Sequence, residues 1–229
     1  MQWGRLLADC LPSLCQACGE RVDRPGDWRR FAALCTGCAE GLRREAGQLT
    51  LAPGLPLLWP YAPGVAVLAL LKGLKYSGRD GALPLLVDGL AWRLWTAAPP
   101  RPWYFLPVPL PLPRRLARGF NQSELLASAL RQRLGEGHLL KPLRRRLFAG
   151  RQAGRGRAER LRQAGGEYFA RGALPELGSL IAIDDLATTG STLRACQAAL
   201  GGAASGRLLA LTVTRVPPAG VSLDRPKMA

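Results

Sequence analysis

The chain has 229 residues and a mass of 24.6 kDa; 48% of it is hydrophobic and 21% charged, enough apolar side chain for a packed core and too much for a disordered chain. Thirty-two basic residues face 16 acidic ones, a formal net charge of +16, which favours partners that carry phosphate or an anionic surface; 28 of the basic residues are arginine, whose planar fork grips phosphate, although GC-rich coding bias yields the same usage. The single histidine, His138, lies in a Gly-Glu-Gly-His turn and excludes Ser-His-Asp triads and zinc sites that need several imidazoles.

The first segment, Met1 to Gly19, carries Asp9 inside its only apolar stretch and has no adequate signal-peptide core, so the cytoplasm is expected. Five of the six cysteines fall within the first 38 residues, and only Cys196 lies beyond them. Cys15 and Cys18, then Cys35 and Cys38, form two C-x-x-C pairs 16 residues apart, a spacing that fits a four-thiolate structural Zn²⁺ site. Two disulfides in a secreted domain are the alternative, without an export signal to support them. Cys10 breaks the paired spacing and reads as a small buried hydrophobe or a substitute ligand. Residues 1–47 are therefore read as a metal-binding module and 48–229 as a larger domain.

Residues 46–71 contain no charge, but Pro53, Pro56, Pro60 and Pro63 argue against a membrane-spanning helix. A loop is expected there, followed by a buried strand or helix start over the run from Val65 to Leu71 that leads to Lys75. Residues 81–96 read as a helix with Leu, Val and Trp on its inner face. A short strand follows at 102–106, and then Pro107, Pro109, Pro111 and Pro113 demand an extended loop. A helix is expected over Ser123 to Leu134, an apolar strand over Ser179 to Ile183, a further helix from about Ser191 to Leu200, and a last strand over Arg207 to Val216. Apolar runs alternating with amphipathic helices predict an α/β domain with parallel strands.

The most informative stretch runs from Leu180 to Thr192: a buried strand, then Asp184 and Asp185, then Thr188, Thr189, Gly190, Ser191 and Thr192 at a helix start. A helix beginning beyond the carboxyl end of a strand offers free amides and a positive dipole end, to which these hydroxyls add donors for phosphate. The two carboxylates suit sugar hydroxyls or hydrated Mg²⁺. A capped helix alone needs one Asp or Thr and leaves the second acid and the remaining hydroxyls unexplained. Between Pro107 and Gln122, the arginines Arg114, Arg115 and Arg118 supply cationic forks, while Gly119 and Asn121 allow a tight turn into the next helix.

The strand, acid pair and Thr-Gly-x-Thr loop resemble the phosphoribosyl-pyrophosphate motif of type I phosphoribosyltransferases. With the amino-terminal cysteine pairs, Leu74-Lys75-Tyr76 and the run Arg118-Gly119-Phe120-Asn121-Gln122-Ser123-Glu124-Leu125-Leu126, the chain resembles the competence protein F (ComF) family over nearly its whole length. The resemblance implies a zinc module and a phosphoribosyltransferase-like parallel sheet flanked by helices, associated with DNA uptake in natural transformation. It further implies zinc on Cys15, Cys18, Cys35 and Cys38, ribose 5-phosphate at Asp184, Asp185 and Thr188 to Thr192, and pyrophosphate or nucleic acid at Lys75, Arg114, Arg115, Arg118, Gly119, Asn121 and Gln122. The acceptor is not implied. One departure is the stretch Arg151-Gln152-Ala153-Gly154-Arg155, which lacks the leucine that the family carries there.

Residues 114–171 hold fifteen basic side chains against four acidic ones. An arginine-rich arm over 144–162, interleaved with Phe120, Phe148, Tyr168 and Phe169, suits closure over a phosphate site or contact with single-stranded DNA. Two functions follow: Mg²⁺-dependent phosphoribosyl transfer, or a single-stranded DNA-handling module that works with DNA-uptake proteins.

Overall fold

The computed structural model describes residues 14–22, 34–77, 82–146 and 166–218. Cys10, the arginine-rich stretch 151–162 with its leucine-lacking segment, Phe148 and the residues after 218 lie outside them. After a one-turn helix α1 (Thr36–Glu40), the chain forms a hairpin of β1 (Arg44–Ala52) and β2 (Leu55–Tyr61). Then come α2 (Val65–Ser77), α3 (Ala82–Ala97), β3 (Trp103–Pro107), α4 (Leu112–Arg118), α5 (Gln122–Leu134) and β4 (His138–Leu139). The rest is β5 (Leu143–Arg145), β6 (Tyr168–Ala170), β7 (Ser179–Ala187), α6 (Ser191–Leu200), a 3-10 turn (Gly201–Ala204) and β8 (Leu208–Arg215).

Six strands form one sheet in the order β1-β2-β8-β7-β3-β4, parallel except for the β1–β2 hairpin, and β5 and β6 form a separate antiparallel ribbon. The central strands β7 and β8 are buried on both faces, which explains why they read as continuous apolar runs. Ile181 and Ile183 join Leu70, Leu86, Leu90 and Leu126 in one core cluster. Leu180 and Ala182 join Leu193 and Cys196 in the cluster on the other face.

Several expectations change. The uncharged stretch after residue 46 begins as a hairpin and not a loop, while the buried run from Val65 is a helix start, one of the two forms expected for it. Pro56 and Pro60 sit within β2, where the hydrophobic gain decides. Leu55, Leu57, Leu58, Trp59 and Tyr61 are all buried, and each buried side chain of this size is worth roughly 1.5–3 kcal/mol. A missing ladder bond costs only about 0.5–1.5 kcal/mol. The loop after Pro107 contains α4, with Pro113 in its first turn, where the missing amide costs nothing.

On α3 the inner face carries Arg93 rather than tryptophan. The Arg93 guanidinium donates to Gly47 O and Gln48 Oε1 of β1, and so is buried with partners. Trp95 is instead exposed, edge-on to Trp103, with the Arg101 guanidinium over both rings. Strand β7 continues through both aspartates to Ala187 instead of stopping at Ile183.

Helix α3 approaches the sheet closely because Gly89 lies against Tyr61, whose hydroxyl donates to Leu85 O at 2.6 Å. A Cβ at position 89 would overlap the Tyr61 ring. Gly89→Ala is therefore expected to lower unfolding stability by about 1–3 kcal/mol in urea titration, despite the ~1 kcal/mol that alanine gains over glycine within a helix.

Candidate functional site

Two groups of residues stand out. The first is the cysteine cluster. Cys15 N donates to Glu20 O and Gly19 N to Cys15 O, closing a turn that requires Gly19 at φ +80°; Ala39 N donates to Cys35 O at the start of α1. These two turns bring the sulfurs of Cys15, Cys18, Cys35 and Cys38 within 4.8 Å of one another, a set that could hold a metal ion. All four are free thiols, and the Cys18 and Cys35 sulfurs lie 3.6 Å apart, far beyond a disulfide bond. Burial raises the Cys15 thiol, but the amides of Cys35, Cys18 and Ala17 carry it down to about 6. Facing the Cys18 and Cys35 sulfurs, the Cys38 thiol is pushed up to about 12. Such a crowd of sulfurs ionises together only around a cation. Cys15 and Leu34 pack into the same core cluster as Leu70, Leu71 and Leu74 of α2, so the cysteine turns are part of the main core.

The second group lies at the carboxyl ends of β7 and β3. The chain leaves β3 for β4 on one side and leaves β7 for β8 on the other, so adjacent strands part company here. Such a switch point opens a crevice in which open α/β sheets bind ligands. The loop after β7 carries Thr188, Thr189, Gly190, Ser191 and Thr192. Thr188, Thr189 and Ser191 are exposed and Thr192 half-buried. Thr189 and Ser191 hydroxyls are 3.2 Å apart, and Arg194 donates to Thr189 O at 2.8 Å, adding a positive charge beside the loop. The amides of the first turn of α6 have no helical acceptors. Gly190 has φ +74° and lies buried under Leu51 of β1, whose methyls occupy the space of a Cβ. Glycine is thus required here by the hairpin as well as by the backbone turn.

The two aspartates have separate partners. Asp184 Oδ1 accepts from Ser123 Oγ and from the Asp185 amide, each at 2.9 Å. Burial, and then the neighbouring Asp185 charge, push the Asp184 carboxyl up to about 7. Asp185 is buried and ion-paired with Lys75 of α2. Lys75 is therefore brought to the aspartates rather than to the arginines of the other loop.

That loop divides by role. Asn121 is buried and caps α5, accepting from Ser123 N and donating to Val108 O, so it builds the turn. Buried Gln122 accepts from Arg118 at 3.0 Å. Gly119 ends α4 at φ +76°. Arg114 is exposed, and Arg115 is 3.8 Å from Glu124. Sequence reasoning passed over Ser123, whose helix-start position was visible but whose bond to Asp184 needs the β7–α5 contact. A scan against models of known protein families finds no match for the chain, and a search of the curated proteins finds none either.

The raised Asp184 carboxyl has a stability consequence. The folded state holds a proton there between the ordinary carboxylate value of 3.8 and about 7, so stability is greatest below that window and falls as pH rises through it. Asp184→Asn removes the titration. Relative to wild type it is expected to gain about 1–3 kcal/mol between pH 4 and pH 8 in chemical denaturation.

Proposed function

We propose that the chain is a phosphoribosyltransferase-fold protein of the ComF type that binds phosphoribosyl pyrophosphate, or a closely related sugar phosphate, and acts in DNA uptake. The observation that carries this reading is the junction of the β7 and β3 loops at the switch point, tied by the Ser123–Asp184 hydrogen bond. A phosphate, a sugar and a second anionic group are the chemistry those two loops suit together.

In this reading the α6 amides and the hydroxyls of Thr188, Thr189, Ser191 and Thr192 take the 5-phosphate. Asp184 and Asp185 accept hydrogen bonds from the ribose hydroxyls. Lys75 holds Asp185 in place through their ion pair. Arg114, Arg115 and Arg118 stabilise negative charge on pyrophosphate as it departs. Asp185 is engaged by Lys75 and Asp184 Oδ1 by two donors, a set that fits Mg²⁺ carried on the ligand's phosphates better than an ion caged by protein alone. Bound there, Mg²⁺ would supply charge neutralisation for the leaving group.

The metal at the cysteines is proposed to be structural zinc. Four thiolates each about 2.3 Å from a tetrahedral Zn²⁺ lie about 3.8 Å apart, close to the 3.6 Å between Cys18 and Cys35. Single-stranded DNA handling is a second reading, favoured by the β5–β6 ribbon. There Arg145 lies over Tyr168 and Arg146 over the exposed ring of Phe169, a surface suited to backbone contact and base stacking.

Isothermal titration of wild type with phosphoribosyl pyrophosphate and Mg²⁺ is expected to show binding, and Asp184→Asn/Asp185→Asn to weaken it by about 100-fold, as the loss of charged hydrogen-bond acceptors implies. Binding of labelled single-stranded DNA alone, salt-sensitive and indifferent to the aspartates, would overturn the sugar-phosphate reading. Metal analysis is expected to find one zinc per chain. Cys38→Ser should lose it and lower the melting temperature, because Cys15 and Leu34 are core residues.

A further inference from the structure

Next to the Lys75–Asp185 ion pair, a groove runs between α2 and the end of β7. Leu68, Leu71, Lys72 and Lys75 line it from one stripe of α2, and Leu186 lines it from β7. The i, i+3, i+4, i+7 spacing places all four α2 side chains on one face. Leucines make the wall apolar and two ammonium groups stand one helical turn apart. Asp185 answers Lys75. Among the described residues Lys72 makes no ion pair, and the groove has no acidic lining residue, so it carries an uncompensated positive charge. The volume is about 280 Å³, just below the roughly 300–1,000 Å³ of sites for drug-sized ligands.

We propose that this groove binds a monocyclic aromatic carboxylate, its ring against Leu68, Leu71 and Leu186 and its carboxylate on Lys72. An apolar wall alone favours any flat ring, and a lysine alone favours any anion. Their combination in a space of this size selects a small ring bearing one negative group. The groove touches the ion pair that orients Asp185, so the ligand's role, which rests on the phosphoribosyl reading, is that of acceptor. An unprotonated ring nitrogen of such an acceptor gives its lone pair to the anomeric carbon. The bond from that carbon to the pyrophosphate oxygen breaks, and its electron pair leaves with pyrophosphate.

The groove can be probed without any acceptor chemistry. Binding of 4-fluorobenzoate, followed by fluorine NMR, is expected for wild type, with 4-fluorobenzamide at least about tenfold weaker, the scale of one charged hydrogen bond. Lys72 is exposed, so Lys72→Met should fold normally. It should bind the carboxylate about tenfold more weakly, with Lys72→Arg restoring part of the loss. Absence of binding to wild type, or equal binding to Lys72→Met, overturns the assignment. Titration of the same proteins with phosphoribosyl pyrophosphate and Mg²⁺ separates the two readings. Sugar-phosphate binding without benzoate binding removes the groove ligand alone. Benzoate binding with the expected Lys72 dependence, but without sugar-phosphate binding, leaves the groove and removes the phosphoribosyl role.

Discussion

Strand β7 is apolar on both faces as far as Ile183, where its pairing with β3 ends, and then carries two carboxylates while still paired with β8. A strand fixed in a central ladder cannot slide to bring those acids into water, because a shift of register would turn its apolar set out of both cores. The acids must therefore find partners where they stand. Ser123 at the start of α5 and Lys75 near the end of α2 provide them. Both helices are held in position by these polar contacts and by the apolar cluster beneath. The same change of polarity marks the height at which the crevice begins.

Two peripheral features act on this centre. The β1–β2 hairpin places Leu51 over Gly190 and Pro53 O against Gln197 Nε2, at 2.9 Å, and thereby shapes the loop that starts α6. The cysteine turns pack Cys15 and Leu34 against α2, the helix that carries Lys72 and Lys75. The cysteine turns therefore brace the side of α2 on which they rest, and so support the position of Lys75 from a distance. The hairpin forms one edge of the main sheet and the cysteine turns lie outside it, yet each bears on one wall of the candidate site.

The basic excess is less uniform in its role than its size suggests. Arg93 is buried as a tie between α3 and β1. Arg101 is stacked on Trp95 and Trp103 and bonded to Glu136. Arg133 meets Asp88 at 2.6 Å, and Arg207 donates to Ala203 O. Planar guanidinium groups serve such stacked and multiply bonded positions better than ammonium groups. The arginines of α4 and of β5, by contrast, lie largely on the surface beside the crevice and the ribbon.

Local signals determined much of this molecule. The C-x-x-C pairs announced a four-cysteine cluster that could hold a metal ion, because two short turns suffice to aim four sulfurs at one point. Asn121 announced the start of α5 because a side-chain cap is decided within three residues. Ser179 to Ile183 read as a core strand because it is apolar on both faces. Long-range contacts decided the rest. Pro56 and Pro60 concealed β2 because its burial depends on partners far along the chain, at β8 and in both core clusters. Arg93 turned inward because β1 presents two acceptors to it. Sequence proximity made Asp184 and Asp185 look like one acid pair. Packing gave them different partners, 61 and 110 residues away in Ser123 and Lys75, and no local pattern encodes which helix arrives beside which carboxylate.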